Sequence, residues 1–264
     1  MSTFAELVAE GAAVPVDGWD FSWFAGRATE QRPSWGYAGL VRERIGWADA
    51  VLDIQTGGGE VFAEALAGAD KAGHRPSIVA ATESWPPNAT LAAERLRPYG
   101  AAVSRVDDLA RLPYPDGSFD LIVSRHPVVT VWPEVARTLR PGGVYLSQQV
   151  GPGSVRELTD FMMGPQPVGA DRDPRRTAAA AEKAGLTVVD LRPESLLMEF
   201  GDIAAVIVFL RKVIWIVPDF TVERYQARLA ALHERITDRG PFVAHSERFL
   251  IEAVKPGTAP TPRT

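Results

Sequence analysis

The feature that most constrains the fold is a series of short apolar segments alternating with helix-patterned stretches from residue 50 onward. Ala50-Val51-Leu52-Asp53-Ile54, Ser77-Ile78-Val79-Ala80-Ala81-Thr82, Phe119-Asp120-Leu121-Ile122-Val123-Ser124 and Val144-Tyr145-Leu146-Ser147 each read as a strand. Residues 102–106, 186–191 and 247–253 add three more, and helix patterns separate the strands at 61–67, 88–96, 132–139 and 178–184. Strands apolar on both faces belong to parallel sheets covered on both sides, where neither face is wetted. The pattern therefore predicts an α/β, doubly wound, mostly parallel sheet of seven strands with helices on both faces. Turn residues agree. Pro115-Asp116-Gly117-Ser118 introduces one strand, and Pro141-Gly142-Gly143 is expected to stop a helix and turn the chain.

The flanking regions have a different character. Residues 1–48 are rich in aromatics, with Trp19, Trp23, Trp35 and Trp47 and helix patterns at 4–12 and 37–47. They read as an N-terminal helical and aromatic cap. Residues 194–245, with a helix at 221–236, are far more than a hairpin needs and read as a helical insertion covering an acceptor site. The core is then 49–193 with 246–256, and the Pro/Thr-rich residues 257–264 form a flexible tail. Residues 203–217 are the most apolar run. They contain Arg211 and Lys212 and fall short of the roughly 20 residues a membrane span needs, so they read as a buried element. The opening Met1-Ser2-Thr3-Phe4-Ala5-Glu6 has neither a basic nor a long apolar region and reads as mature cytoplasmic sequence.

Composition removes several functional classes. The chain of 264 residues contains no cysteine, which excludes disulfide scaffolds, zinc ribbons and cysteine nucleophiles. A formal net charge of −5 argues against nucleic acid as the main partner. His74, His126, His233 and His245 are dispersed without ligand spacing, so no metal is expected.

Ligands of open α/β sheets bind beyond the carboxyl ends of the strands, where strand order reverses. The first strand-to-helix turn, Asp53-Ile54-Gln55-Thr56-Gly57-Gly58-Gly59-Glu60, should lie there. Glycines permit close backbone approach, and the following helix offers unpaired N–H groups; the bland alternative is a connection with no ligand. The dinucleotide fingerprint fails because Phe62 stands where the third glycine belongs, and no Gly-Lys-Ser/Thr follows for a P-loop. A carboxylate at Asp53 would repel a pyrophosphate. It suits a cofactor carrying an ammonium group, as S-adenosylmethionine does.

Val51-Leu52-Asp53-Ile54-Gln55-Thr56-Gly57-Gly58-Gly59 resembles motif I of the class I S-adenosylmethionine-dependent methyltransferases, D-x-G-x-G-x-G, with Gln55 replacing the first glycine. The resemblance covers about residues 48 to 150 and implies a Rossmann-like fold and methyl transfer, with S-adenosylhomocysteine as product. Within it, Glu83 is similar to the residue that holds the ribose hydroxyls, two carboxylate oxygens matching a vicinal diol. Asp108 and Leu109 are similar to the segment that contacts adenine. The stretch from Glu134 to Gly143 is similar to the family's helix and turn after the fourth strand. The gap from Gly59 to Glu83 is longer than usual. Asp53, Gln55, Thr56, Gly57, Gly59, Glu83, Ser84, Trp85, Asp108, Leu109, Ser124 and Arg125 are the implied cofactor-binding residues. Trp85 either stacks on adenine or packs against Pro86-Pro87.

Ser124-Arg125-His126-Pro127 follows the fourth strand, where family members position the acceptor. It differs from the Asn/Asp-Pro-Pro-Tyr/Phe signature of many nucleic-acid amino methyltransferases. His126 either removes a proton from a hydroxyl or amine acceptor or bonds structurally at a strand end. Arg125 reaches a carboxylate of cofactor or substrate, or forms a plain salt bridge. Gln148 and Gln149 either bond an acceptor or cap their strand, and Trp35 and Tyr37 either line the acceptor pocket or pack in the core. The leading expectation is methyl transfer to an oxygen or nitrogen of a small molecule. An RNA-directed methyltransferase and a non-catalytic cofactor-binding scaffold are the rivals, and an NAD-dependent oxidoreductase ranks last.

Overall fold

The computed structural model describes residues 2–16 and 21–257, so Trp19 and the tail from 258 lie outside the described residues. Along the chain the elements are α1 (Phe4–Ala13), β1 (Ala28–Glu30), α2 (Tyr37–Ile45), β2 (Ala50–Asp53), α3 (Glu60–Lys71) and β3 (Ile78–Glu83). These are followed by α4 (Pro86–Leu96), β4 (Ala102–Arg105), β5 (Phe119–Arg125), α5 (Trp132–Thr138), β6 (Leu139–Val150) and α6 (Arg156–Met163). The last are α7 (Pro174–Lys183), β7 (Thr187–Phe200), α8 (Ile203–Lys212), α9 (Val222–Arg239) and β8 (Phe242–Val254). The chain divides into two compact units. One comprises Pro33–Val150, Asp171–Pro193 and Phe249–Thr264; the other comprises Met1–Arg32, Gly151–Ala170 and Glu194–Arg248.

The first unit holds the parallel strands. β2 pairs in parallel with β3 and β5, β3 with β4, and β5 with β6. Alternate residues of these strands enter two apolar layers. Val51, Ala81, Val123 and Leu146 pack with Val41, Phe62 and Leu96, while Leu52, Ala80, Ile122 and Tyr145 pack with Trp132, Val135 and Ala181. That is why the strands read as continuous apolar runs. Helix ends carry the expected signals. α3 has Glu60 in its first turn and Lys71 in its last, and α4 opens on Pro86-Pro87, which lack N–H groups an N-terminal turn cannot use.

The strand count and parallel character differ from expectation. Eight strands are hydrogen-bonded in the order β1-β7-β8-β6-β5-β2-β3-β4, not seven, and the sheet is mixed. The extra strand is β1, within the segment read as a cap, and it pairs antiparallel with β7 through Ala28↔Phe200 and Glu30↔Met198. Pro141-Gly142-Gly143 is not the helix stop. α5 ends at Thr138, and the three residues lie inside β6, where Gly142 N–H donates to the Lys255 carbonyl (2.8 Å) and Lys255 N–H to Gly143 (2.9 Å). β7 also runs past Arg192-Pro193 to Phe200, so residues 194–200 are strand rather than helical insertion. Burial of Leu196, Met198 and Phe200 gives that stretch its period of two.

The second unit is built around α8. Eight consecutive residues, Ile203 to Leu210, are buried, and the Asp202 side chain caps the helix by accepting from the Ala205 N–H (2.8 Å). Arg211 is compatible with that apolar run because its guanidinium donates to the Gly11 and Val14 carbonyls (2.7 and 2.8 Å) at the end of α1. Among the described residues no helix is long and apolar enough to cross a membrane.

Candidate functional site

From β2 the chain proceeds outward to β3 and β4, then returns to place β5 on the other side of β2. The carboxyl ends of β2 and β5 are therefore the switch point, where two connections leave in opposite directions and open a crevice. Asp53 ends β2, and Ser124 and Arg125 end β5.

The turn after Asp53 is held in an unusual backbone path. Gln55, Gly57 and Gly59 all have positive φ (56°, 63° and 77°). Gly59 has a further constraint, since a Cβ there would lie 3.2 Å from Leu96 Cγ on α4. The third glycine thus serves helix packing. Two hydrogen bonds tie the turn to β3, Thr56 N–H to the Thr82 carbonyl (2.9 Å) and Gln55 N–H to Thr82 Oγ1 (3.3 Å). Arg95 from α4 donates to the Gly58 carbonyl and to Glu60. Neither Thr82 nor Arg95 carries a motif, so sequence reading missed both.

Asp53 is buried, and the Thr56 hydroxyl donates to its Oδ2 (2.6 Å). Burial raises its pKa from 3.8 to about 7. The Thr56 hydrogen bond opposes that rise, Glu83 adds to it, and Arg125 opposes it. A carboxyl so placed gains most from a cation brought next to it. Glu83, also buried, accepts from Ser84 and Trp85 N–H on Oε1 (3.0 and 2.9 Å) and from Gly57 N–H on Oε2 (2.8 Å). Burial nevertheless keeps its pKa above the usual value. Three of its roughly four lone-pair positions are taken, which leaves room for one hydroxyl rather than both of a diol.

Asp108 is half-buried and Leu109 is exposed, beyond β4. Asp108 lines the pocket that also contains Ile54, Gln55, Thr82, Ser124 and Val129. Ser124 is buried, its hydroxyl donating to the Ile54 carbonyl (2.7 Å). Trp85 is 42% exposed at the start of α4. The structure therefore brings Asp53, Gln55, Thr56, Gly57, Glu83 and Ser84 together through hydrogen bonds or charge, with Asp108 and Ser124 on the wall of the same crevice.

On the acceptor side, the Trp35 indole N–H donates to Gln148 Oε1 (2.8 Å), and Gln148 Nε2 lies 2.8 Å from His126 Nε2. An indole can only donate, so the amide oxygen must face Trp35 and the amide NH₂ must face His126. His126 Nε2 is then the acceptor, and the ring proton sits on Nδ1. His126 also has φ 55°, and its N–H donates to the Gln148 carbonyl (2.7 Å). Trp35 and Tyr37 are buried in an apolar layer rather than lining open space, the Tyr37 hydroxyl donating to the Ser124 carbonyl (2.9 Å). Burial raises the Tyr37 pKa well above normal, so it remains a donor. Gln149 bonds Thr130 (3.3 Å). Among the described residues, no group of His, Asp and Glu could hold a metal ion.

Together these features define a class of protein, a doubly wound α/β domain with a glycine-rich turn between two acidic strand ends. Residues 52–147 match the family model described as a methyltransferase domain. That stretch is similar to a methyltransferase domain, and it spans the strands and turns that form the crevice. No curated protein matches it. Among solved structures, a candidate methyltransferase from Bacillus halodurans C-125 is 17% identical with TM-score 0.56, covering 83% of this chain and 98% of its own. The YcgJ protein from Bacillus subtilis, also 17% identical, has TM-score 0.57 with the same coverage. The [4+2]-cyclase SpnF is 18% identical with TM-score 0.50, covering 95% of this chain and 91% of its own. At such identities the likeness shows the fold, and SpnF illustrates that this fold serves more than one chemistry.

Proposed function

We propose that the protein transfers a methyl group from S-adenosylmethionine to an oxygen or nitrogen of a small-molecule acceptor. The observation that carries the reading is the buried Asp53 carboxyl, with its raised pKa, at the switch point beside the positive-φ glycine turn. When bound, this cofactor supplies an electrophilic methyl on a sulfonium and presents an ammonium group. Asp53 faces the ammonium, which stabilises its charged form. Glu83 takes one ribose hydroxyl on its remaining lone pair, and Asp108 accepts from the adenine amine. Gly57 and Gly59 let the turn approach the cofactor closely.

Methyl transfer is an in-line displacement, so orientation dominates. The Trp35–Gln148–His126 relay leaves His126 neutral with its Nε2 lone pair occupied. His126 is thereby held in place at the end of β5, and the acceptor's proton leaves to solvent. The net charge of −5 favours a small acceptor over RNA. Incubation with S-adenosylmethionine and panels of small hydroxyl and amine acceptors, with transfer RNA alongside, tests the reading. S-adenosylhomocysteine should accumulate with a small acceptor and not in Asp53→Ala. Cofactor binding without turnover on any acceptor would favour a binding scaffold.

A further inference from the structure

We propose that Gln55 is a latch on this crevice: its side-chain amide bolts the loop between β5 and α5 in place, and ligand entry requires the bolt to open. The inference rests on the cofactor reading above and concerns the one position where motif I departs from the family pattern. Gln55 bonds the loop at two adjacent residues. Val128 N–H donates to its Oε1 (2.6 Å), and its Nε2 donates to the Val129 carbonyl (2.8 Å). Both ends of the amide are therefore satisfied on the backbone of one loop. Val128 is itself 74% exposed, so side-chain burial does not hold the loop there.

The backbone of Gln55 makes the same point. Its φ of 56° is a conformation that glycine adopts freely and side-chain-bearing residues disfavour. A glycine would meet the backbone requirement with less strain and no bolt. The cavity that Gln55 and Val129 help to enclose measures about 20 Å³, room for one water molecule. Pockets that take a ligand of cofactor size enclose roughly 300–1,000 Å³. In the bolted arrangement this part of the crevice, on the Asp108 side, is too small for an adenine ring, and the bolt joins its two walls.

A protein whose competent state is only partly populated binds with affinity reduced by that fraction. Two neutral hydrogen bonds place the open fraction at about one in ten or below. Removing the bolt should therefore tighten binding by about tenfold or more. The test is calorimetric titration of the full chain and its Gln55→Ala and Gln55→Gly variants with S-adenosylhomocysteine. Hydrogen exchange at the Val128 amide is followed in each without ligand. Gln55→Ala keeps the backbone strain and removes the bolt, and Gln55→Gly removes both, so a folded variant is available if Gln55→Ala is unstable. The latch predicts tighter binding in both variants and faster Val128 exchange. Equal affinity in all three proteins, or unchanged exchange, overturns the latch and leaves the cofactor reading intact. Weaker binding in the variants makes Gln55 a ligand contact and also overturns it. No binding in any of the three overturns the cofactor reading itself.

Discussion

Asp53 and Asp120 sit at opposite ends of neighbouring parallel strands and behave in opposite ways. Asp120, near the start of β5, accepts from Ala50 and Asp49 N–H (2.9 and 3.1 Å) and from Arg140 on both oxygens (2.9 Å each). Burial alone would raise its pKa, but those amides and the guanidinium more than offset this and hold it below 3.8. Asp53, at the end of β2, accepts from the Thr56 hydroxyl and has a pKa pushed up to about 7. One carboxylate is fully served by the fold. The other is buried with its charge only partly offset by Thr56 and Arg125, which costs stability and suits a site awaiting a cation.

The largest expected effect separates the two by ligand. Asp53→Ala should weaken S-adenosylhomocysteine binding about 100-fold, the scale of a lost charged hydrogen bond. Asp120→Asn should leave affinity unchanged. Equal losses in both would dissolve the contrast.

The next effect separates them by stability. Asp120→Ala strands Arg140 and two N–H groups and should cost about 2–3 kcal/mol in urea unfolding at pH 7. Because the folded pKa is depressed, that contribution is present above pH 4 and fades as pH falls through the folded value. Asp53 has the reverse sign. Its folded form holds a proton that the unfolded chain has released, so its contribution to stability falls as pH rises from about 4 through about 7. Asp53→Asn should therefore gain about 1 kcal/mol over wild type at pH 8 and little at pH 4. A pH-independent difference would show that Asp53 keeps an ordinary pKa.

Gly59→Ala should give a smaller loss, about 1–2 kcal/mol in thermal or urea unfolding, from the positive φ and the Leu96 contact. Gly73→Ala, also at positive φ but with nothing within 4 Å, should lose less. The pair separates backbone strain from helix packing.

What was legible in the sequence followed how local its cause was. The parallel strands were readable because both faces are buried, which leaves an unbroken apolar run. Asp53 and the glycine turn were readable because their spacing is set within one strand–turn–helix unit. β1 was not, since Ala28-Thr29-Glu30 has no strand pattern and exists through pairing with β7, remote in sequence. The end of β7 was hidden by Pro193, which reads as a breaker although Leu196, Met198 and Phe200 resume the alternation. The candidate site divided similarly. Trp35 and Gln148 are each legible in the sequence as an aromatic and a polar residue, yet their bond spans 113 positions, so the link through Gln148 to His126 is visible only with the fold. The use of Gln55 depends on the Val128 and Val129 backbone, which bears no motif.

The most direct test of the central claim, that Asp53 is a buried acid waiting for a cation, is titration with S-adenosylhomocysteine at pH 6 and pH 8 in buffers of different ionisation enthalpy. Binding should tighten from pH 6 to pH 8 and release protons at pH 6, and Asp53→Asn should abolish both effects. Affinity that is independent of pH, with no proton release, would contradict it.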